Sequence, residues 1–260
     1  MDRREFNTAL AMASLTGLFA PQANAQQPAA PQTKPRIGML IYSDMILLDL
    51  TGPLTVFNIL QADVHLVARS KDPVMTEVGL AVMPTDSFET APSQFDVLFV
   101  PGGLKGTVDA MKDPKAIDFV RSAGEASRYV TSVCTGSLLL GAAGLLKGYS
   151  ATSHWYVRDL LPLMGGITKK DRVVEDRNRI TGGGVTAGID FGLTVAARLS
   201  GEDVAKRIQL VIEYDPKPPF TAGSPEGAGP ALTEDILQRR GAIIREAEQV
   251  VRAAGTKLGI

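Results

Sequence analysis

Residues 128–143, which read RYVTSVCTGSLLLGAA, decide the fold. The first six residues are rich in β-branched and aromatic side chains and predict a buried strand, whereas the leucine-rich run that follows predicts a helix. Cys134 occupies the turn between them. Ser132 and Gly136, two residues before and two after it, are small enough for the backbone to fold back tightly. The stretch therefore predicts a nucleophile elbow within an α/β fold.

Cys134 is the single cysteine of the chain. A sulfur at the N-terminus of a helix faces free N–H groups and the positive end of the helix dipole, and both favour the thiolate. We therefore expect its pKa to lie below the value of about 8.5 that is typical of a free cysteine. The alternative is a small buried core residue, which is what most free cysteines are. The elbow favours a catalytic nucleophile.

Strand-like and helix-like segments alternate along the chain, which predicts a mostly parallel sheet with helices on both faces. The expected strands are 36–42, 64–68, 96–100, 128–133 and the two arms of a hairpin, 172–175 and 179–181. The expected helices are 53–61, 109–127 with a break at Asp113-Pro114, 155–164, 186–199, 202–214 and a last helix after the proline-rich loop at 215–230. One face of the last helix is apolar, and we expect it to close the core rather than to form a dimer contact.

The composition is that of a globular chain of 260 residues with a formal charge of −1 and 45% hydrophobic residues. This size and balance suit one larger α/β domain. A near-neutral charge gives no electrostatic basis for binding nucleic acid or an anionic membrane surface. A single cysteine excludes an intramolecular disulfide. The two histidines, His65 and His154, together with one thiol argue against a metal site.

The first 25 residues have the features of a twin-arginine signal peptide. Arg3 and Arg4 precede a short apolar run, and Ala23-Asn24-Ala25 matches an A-x-A cleavage site. The apolar run is shorter than the roughly 20 residues that a membrane span needs, so we expect no stable membrane anchor. We expect cleavage near Ala25 and export by the twin-arginine machinery to the periplasm. Residues 26–35 are expected to form a disordered lead, and residues 36–260 one domain that includes the C-terminal helix.

A second segment should reach the same sheet edge as Cys134, because ligands bind outside the carboxyl ends of the strands in open α/β sheets. Pro101-Gly102-Gly103 follows the expected strand 96–100. We expect the N–H groups of Gly102 and Gly103, with that of Thr135, to bind an anionic intermediate as an oxyanion hole. An ordinary tight turn is the alternative for the two glycines.

Asp49 lies between Leu48 and Leu50, just before the helix expected at 53–61. A carboxyl group in apolar surroundings is costly unless it has a partner or a function, and its raised pKa suits a group that moves protons. The alternative is a helix N-cap, which Asp forms well. Thr51 is better placed for capping, so we interpret Asp49 as a proton-transfer residue.

Together these motifs resemble the DJ/PfpI cysteine superfamily and, more narrowly, its isonitrile hydratase (isocyanide hydratase) branch. The similarity runs over residues 36–227 and rests on LLDLTGP at 47–53, VLFVPGG at 97–103, YVTSVCTGSLLLGAAGLLKGYSATSHW at 129–155, ITGGGVTAGIDFGL at 180–193 and IEYDPKPPFTAGSP at 212–225. The wider superfamily generally carries Glu at the place of Asp49, whereas this branch carries Asp. Protease-like members carry His directly after the cysteine, where this chain has Thr135, which argues against peptidase activity.

The resemblance implies a flavodoxin-like three-layer sandwich, a homodimer, and hydration of a small-molecule isonitrile to the N-substituted formamide without a metal or an organic cofactor. It implies that Cys134 is the nucleophile, Asp49 the acid and Thr135 the catalytic residue after the nucleophile. Other members carry a histidine near the thiol at about the place of His154, which either stabilises the thiolate or is an ordinary core residue. The alternatives are a glyoxalase-like or deglycase-like enzyme and a non-enzymatic ligand or redox sensor.

Overall fold

The computed structural model describes residues 34–260. The predicted signal peptide at 1–25 and most of the predicted lead at 26–35 lie outside the described residues. The strands of the described part are β1 (Arg36–Leu40), β2 (Asp63–Ala68), β3 (Val74–Met75), β4 (Ala81–Val82), β5 (Asp86–Ser87), β6 (Val97–Val100), β7 (Tyr129–Ser132), β8 (Ser150–Ala151), β9 (Ile167–Thr168), β10 (Val173–Asp176) and β11 (Arg179–Gly182).

Seven of these strands form the central sheet, in the order β10-β11-β7-β6-β1-β2-β5. Every neighbouring pair is parallel except the hairpin β10–β11 at one edge. Two small separate sheets pair β3 with β4 and β8 with β9. The carboxyl ends of β6 and β7 lie side by side, because Val100 is in register with Ser132. The segments that follow these two strands, at residues 101–103 and 133–135, are thereby brought together.

Helices cover both faces of the sheet. They are α1 (Leu47–Ile59), α2 (Leu104–Lys112), α3 (Pro114–Ala126), α4 (Gly136–Ala142), a 3-10 helix (Arg158–Met164), α5 (Ala187–Ser200), α6 (Glu202–Val211), α7 (Pro225–Ala228) and α8 (Pro230–Lys257). In β6, Leu98 and Val100 pack on the face covered by α2, α3, α4 and α8, whereas Val97 and Phe99 pack on the face covered by α1, α5 and α6. This alternation is the period of two that a strand imposes. The predicted flavodoxin-like three-layer sandwich is confirmed.

The predicted break in the helical region 109–127 is confirmed. Asp113 separates α2 from α3, and its side chain accepts a hydrogen bond of 3.0 Å from the Lys115 N–H. Pro114 occupies the first turn of α3, where a missing N–H has no cost. The chain therefore changes direction between two helices that both pack on the sheet.

The predicted start of α1 is wrong, because the helix begins at Leu47 rather than at Pro53. Ile46, at the N-cap position, provides no side-chain cap. Instead the Glu77 carboxylate, which is thirty residues away in the sequence, accepts a hydrogen bond of 2.8 Å from the Leu47 N–H. Thr51 does not cap the helix either, since its hydroxyl donates to the Leu47 carbonyl oxygen. Asp49 consequently lies in the first turn of α1.

The last helix, α8, closes the core as predicted. Ala247, Val251 and Gly255 are buried in it, and it packs on α2, α4 and the 3-10 helix. Gly255 approaches the Leu163 carbonyl so closely that a Cβ atom there would overlap it. Between residues 34 and 260, no helix has both the length and the apolar character needed to cross a bilayer.

Candidate active site around Cys134

The backbone of Cys134 is held in the left-handed region. Its φ is 55°, which is uncommon for a residue with a side chain and persists only where the surroundings enforce it. The Cys134 N–H donates to the carbonyl oxygens of Gly183, at 2.7 Å, and Gly182, at 3.1 Å. A Cβ atom at Gly136 would lie 2.3 Å from the Val100 carbonyl oxygen, so this position requires glycine. The predicted elbow is present in the structure.

The carbonyl side of Cys134 is fixed as well. Its oxygen accepts a hydrogen bond of 2.9 Å from the Ser153 hydroxyl and one of 3.2 Å from the His154 N–H. Both donors belong to the segment between β8 and the 3-10 helix. The Cys134 side chain is almost fully buried, with 2% of the residue exposed. Its direction is therefore set by the backbone.

The Asp49 side chain lies next to the elbow and is bound to it through Gly102. The Asp49 side chain is fully buried, and its Oδ2 atom accepts a hydrogen bond of 2.8 Å from the Gly102 N–H. A Cβ atom on Gly102 would lie 2.6 Å from Cys134 Cβ, 2.6 Å from the Thr135 nitrogen and 2.7 Å from Asp49 Oδ2. Three of the predicted site residues thus converge on one residue that has no side chain. Asp49 Oδ1 is buried and has no hydrogen-bond partner among the described residues.

Two of the three N–H groups expected to form an oxyanion hole already have partners in the structure. The Gly102 N–H is already bonded to Asp49, and the Gly103 N–H donates to Thr135 Oγ1 at 2.9 Å. The N–H groups of Gly102 and Gly103 therefore hold Asp49 and Thr135 in place and are not free to bind an anionic intermediate. The third donor, the Thr135 N–H, acts on the Cys134 thiol by lowering its pKa, against the larger effect of burial. The Thr135 hydroxyl also hydrogen-bonds the Thr107 hydroxyl at 2.7 Å, so that this side chain connects the elbow to α2.

The acidities of Asp49 and Cys134 are coupled. Burial raises the pKa of Asp49 to about 7, against the lowering effects of its hydrogen bonds from the Gly102 N–H and the thiol. Burial raises the pKa of the Cys134 thiol well above its usual range, and the neighbouring Asp49 charge adds to this. The predicted lowering of the thiol pKa by the helix terminus is therefore wrong, because desolvation outweighs the N–H groups. The thiol is protonated at neutral pH, and its nearest base is Asp49.

His154 is uncharged at neutral pH. Burial, with the positive charges of Arg240 and Arg158, lowers its pKa to about 4. A neutral imidazole does not stabilise a thiolate by charge, so a role for His154 at the thiol would have to come from its packing and hydrogen bonding. Its ring packs against the Tyr156 ring with 3.8 Å between the ring centroids. The residue holds Cys134 through its backbone N–H and forms part of the pocket wall through its ring.

A pocket of about 690 Å³ opens onto the thiol. Apolar side chains dominate its wall, and its charged members are Asp44, Glu77, Lys105 and Arg240. The other side chains and glycine that line it are Ile46, Gly103, Leu104, Cys134, His154, Trp155, Tyr156, Val185, Ile236 and Ile243. Sequence analysis missed Tyr156, Trp155 and the contribution of α8. The apolar face of α8 was visible in the sequence, but the sequence does not show that part of this face borders a pocket.

The described part of the chain contains no group of three His, Cys, Asp or Glu side chains placed to hold a metal ion. His65 lies away from Cys134 and hydrogen-bonds Asp86 within the sheet edge at 2.8 Å. The buried reactive groups at this site are the Cys134 thiol and the Asp49 carboxyl group, both of raised pKa. Such a pair can add a nucleophile to a small electrophile and move protons to and from it.

Comparisons with known proteins show the family to which the chain belongs. Residues 35–198 match the DJ-1/PfpI family. The chain is 47% identical over 226 residues to a Pseudomonas putida protein named isonitrile hydratase, covering 86% of this chain and 98% of the relative. A THiJ/PfpI family protein from Pseudomonas syringae superposes with a TM-score of 0.83 at 44% identity, over 92% of this chain and 99% of that one. A DJ-1 superfamily protein from Salmonella typhimurium superposes with a TM-score of 0.64 at 26% identity, over 69% and 98%.

Proposed function

The chain belongs to the DJ-1/PfpI family, and within that family we propose that it is an isonitrile hydratase, an enzyme that converts R–N≡C and water into the N-substituted formamide R–NH–CHO. One observation carries the proposal: the convergence of Asp49, Cys134 and Thr135 on Gly102 at the base of a largely apolar pocket. The 47% identity to a protein named isonitrile hydratase supports this substrate class over others that the same scaffold could accept.

In the first step, the Asp49 carboxylate accepts the thiol proton while the Cys134 sulfur attacks the terminal carbon of the isonitrile. Asp49 then delivers that proton to the carbon, which gives the thioimidate R–N=CH–S–Cys134. The raised pKa of Asp49, about 7, suits a group that must both take and give a proton near neutral pH. Because the thiol is protonated at rest, attack and deprotonation occur together when the substrate is bound.

In the second step, water adds to the thioimidate carbon. Asp49 takes a proton from the water and delivers it to the nitrogen, which gives R–NH–CH(OH)–S–Cys134 and leaves Asp49 ionised again. Collapse of this adduct expels the sulfur, which recovers its proton from the hydroxyl by way of Asp49, and releases R–NH–CHO. The net reaction adds one water molecule to one isonitrile and gives one N-substituted formamide. Every bond and proton in the scheme is accounted for by the substrate, water, Cys134 and Asp49. Thr135 holds the turn beside the sulfur, since its hydroxyl accepts from the Gly103 N–H.

The test is turnover of the purified protein with a panel of aryl and alkyl isonitriles, with the formamide product followed by mass spectrometry. We expect hydration by the wild type and none above background by Cys134→Ser, with unchanged circular dichroism. Hydration by Cys134→Ser at the wild-type rate would exclude covalent catalysis. Conversion of methylglyoxal with no conversion of any isonitrile would instead favour the glyoxalase-like alternative.

We also propose that the protein forms a homodimer. Four large apolar side chains in and around the β3–β4 hairpin are exposed by 48 to 60%, which is unusual for a surface that only meets water: Met75, Val78, Leu80 and Met83. Light scattering after size exclusion tests this proposal. We expect a dimer for the wild type and a monomer for Val78→Asp with Leu80→Asp, and a wild-type monomer at micromolar concentration would contradict it.

Export to the periplasm is likewise our proposal, and it is supported by Arg3-Arg4, the apolar run and Ala23-Asn24-Ala25. Replacing Arg3 and Arg4 by Lys keeps the charge but removes the paired guanidinium groups. We expect this variant to accumulate as a precursor in the cytoplasm, measured by fractionation and mass. Normal amounts of mature variant in the periplasm would contradict twin-arginine export.

A further inference from the structure

Arg240 lies at the pocket on the same face of α8 as two apolar wall residues. Ile236 is four positions before it and Ile243 three positions after it, which are the spacings that place side chains on one side of a helix. All three line the pocket that contains Cys134. A long helix therefore presents one guanidinium group between two isoleucines to the space where a substrate would bind.

This guanidinium group has no acidic partner among residues 34–260. The next residue, Arg239, pairs with Asp235 at 2.8 Å. The other cation of the pocket, Lys105, pairs with both Asp44 and Asp109. Arg240 is exposed, and its Cζ atom lies 5.9 Å from the centroid of the Tyr156 ring, over the face of that ring. Of the two cations that line the pocket, Arg240 is the one whose N–H groups are available to a ligand.

The acidic groups of the pocket do not cancel this charge by contact. The Asp44 carboxylate is bound to Lys105, and the Glu77 carboxylate accepts the Leu47 N–H at 2.8 Å. The positive charge of Arg240 reaches the inner wall, since it contributes to lowering the pKa of His154 and opposes the rise in the pKa of Tyr156. The pocket thus has an apolar middle, a thiol at its base and a free guanidinium group at its side.

We propose that Arg240 makes the enzyme selective for isonitriles whose substituent carries a carboxylate beyond an apolar or aryl spacer. The inference rests on the proposed function for the identity of the reacting group. A guanidinium group binds a carboxylate through two parallel N–H···O bonds, which neither an amide nor an ester reproduces. The volume of about 690 Å³ far exceeds the space of the isonitrile group itself, so most of the pocket is available for the substituent.

The first experiment measures binding and does not depend on turnover. Trp155 is the single tryptophan of the chain and lines this pocket, so its fluorescence reports ligands there. We would titrate 4-formamidobenzoate and 4-formamidobenzamide, which differ in charge but hardly in shape, into the wild type, Arg240→Gln and Arg239→Gln. Arg239→Gln is the matched control because it removes the same charge from the neighbouring residue. Thermal melting establishes that each variant is folded.

We expect the wild type to bind the carboxylate about fivefold or more tightly than the amide, and Arg240→Gln to lose this preference. Arg239→Gln should retain the preference, and Arg240→Lys should retain part of it. Equal affinities in the wild type, the same preference in Arg240→Gln, or no binding of either compound would each overturn the inference.

The second experiment repeats the comparison with 4-isocyanobenzoate and 4-isocyanobenzamide as substrates. We expect the ratio of kcat/KM for the carboxylate to that for the amide to fall about fivefold in Arg240→Gln and to stay at the wild-type value in Arg239→Gln. Hydration of both compounds with a ratio that does not respond to Arg240 would overturn the inference and leave the proposed function standing. A carboxylate preference in binding with no hydration of any isonitrile would overturn the proposed function alone.

Discussion

The Tyr42 hydroxyl donates a hydrogen bond of 2.6 Å to the carbonyl oxygen of Pro101. Because this uses the phenolic proton, Tyr42 must accept at its contact of 3.0 Å with the Thr107 hydroxyl. Thr107 in turn accepts from Thr135, at 2.7 Å, and Thr135 accepts from the Gly103 N–H. Each hydroxyl thus has one defined direction. The chain of bonds runs from Gly103 back to Pro101 and locks the turn that carries Gly102.

Thr107→Val removes the central hydroxyl of this chain without changing the size of the side chain. Thr135 loses its acceptor and Tyr42 loses its donor, so we expect unfolding to become easier by about 1–3 kcal/mol. We also expect kcat to fall about tenfold or more, because the turn that positions Asp49 against Cys134 loosens. Urea unfolding and steady-state kinetics measure the two effects. Thr55→Val, which removes an exposed hydroxyl that bonds only the Thr51 carbonyl, should change neither quantity noticeably.

Gly102→Ala should eliminate activity while the rest of the fold survives. The new methyl group would meet Cys134 Cβ at 2.6 Å, the Thr135 nitrogen at 2.6 Å and Asp49 Oδ2 at 2.7 Å, so at least one of these must move. A displacement of about 1 Å in catalytic geometry can cost on the order of 10²-fold in rate. Gly223→Ala is the control, since nothing lies within 4 Å of a Cβ atom there. Wild-type turnover by Gly102→Ala would contradict the assigned geometry.

Asp49→Asn should lower kcat by about 10²–10⁴-fold, because the amide keeps the bond from the Gly102 N–H but moves no proton. In the wild type, kcat/KM should rise as pH increases through about 7, where Asp49 ionises and can accept the thiol proton. The variant should lack this rise. A pH profile of both proteins decides the matter, and a fully active Asn variant would remove Asp49 from the mechanism.

The same substitution should stabilise the protein relative to the wild type as the pH rises from 4 to 7. The pKa of Asp49 is raised from 3.8 to about 7 on folding, so the folded state binds more protons than the unfolded state between these values. The wild type therefore loses stability as pH rises through this window, by up to about 4 kcal/mol, and Asn avoids the loss. We expect Asp49→Asn to gain on the wild type in urea unfolding between pH 4 and pH 7. A constant difference over that range would contradict burial of an ionising carboxyl group.

Titration of His154 should change the free energy of unfolding in the opposite direction, lowering it as the pH falls. Its pKa falls from 6.5 to about 4 on folding, so the unfolded state binds more protons between these values. Stability that is present above pH 6.5 is lost as pH decreases toward 4, by up to about 3 kcal/mol. His154→Gln should remove this loss, measured by urea unfolding at pH 7 and pH 4.5. Titration of the imidazole signal by NMR near pH 6.5 would show instead that the side chain is solvated.

The sequence was sufficient to predict the layered fold, because strong buried strands such as 96–100 alternate with helices and their ends carry small residues. It also placed Asp49 and Cys134 at one edge of the sheet, since both follow strand ends. It could not predict the cap of α1, which comes from Glu77 through a tertiary contact. Nor could it show that the Gly102 and Gly103 N–H groups are used within the site, because that depends on side-chain positions in the folded chain.

The sign of the thiol pKa shift was missed for a related reason. Helix-terminus effects can be read from the position of Cys134 in the sequence, whereas desolvation depends on how completely α1, α4 and the segment at 152–154 enclose the sulfur. Tyr156 and Arg240 were missed because their importance comes from facing the same pocket across 84 residues of sequence. Local patterns report secondary structure and turns, and they do not report which distant side chains share a cavity.

The first half of helix α8 lines the pocket, and its second half packs in the core. Its pocket residues, Ile236, Arg240 and Ile243, precede the buried anchors Ala247, Val251 and Gly255. Substitutions at Ile236 and Arg240 alter what the pocket accepts and leave the buried anchors in place, whereas Ile243 also packs against the core and substitutions in the second group threaten folding. Relatives that share this helix can therefore diverge in the compounds they process while the anchors and the elbow stay the same. Directed evolution toward new substituents would best begin at Ile236 and Arg240.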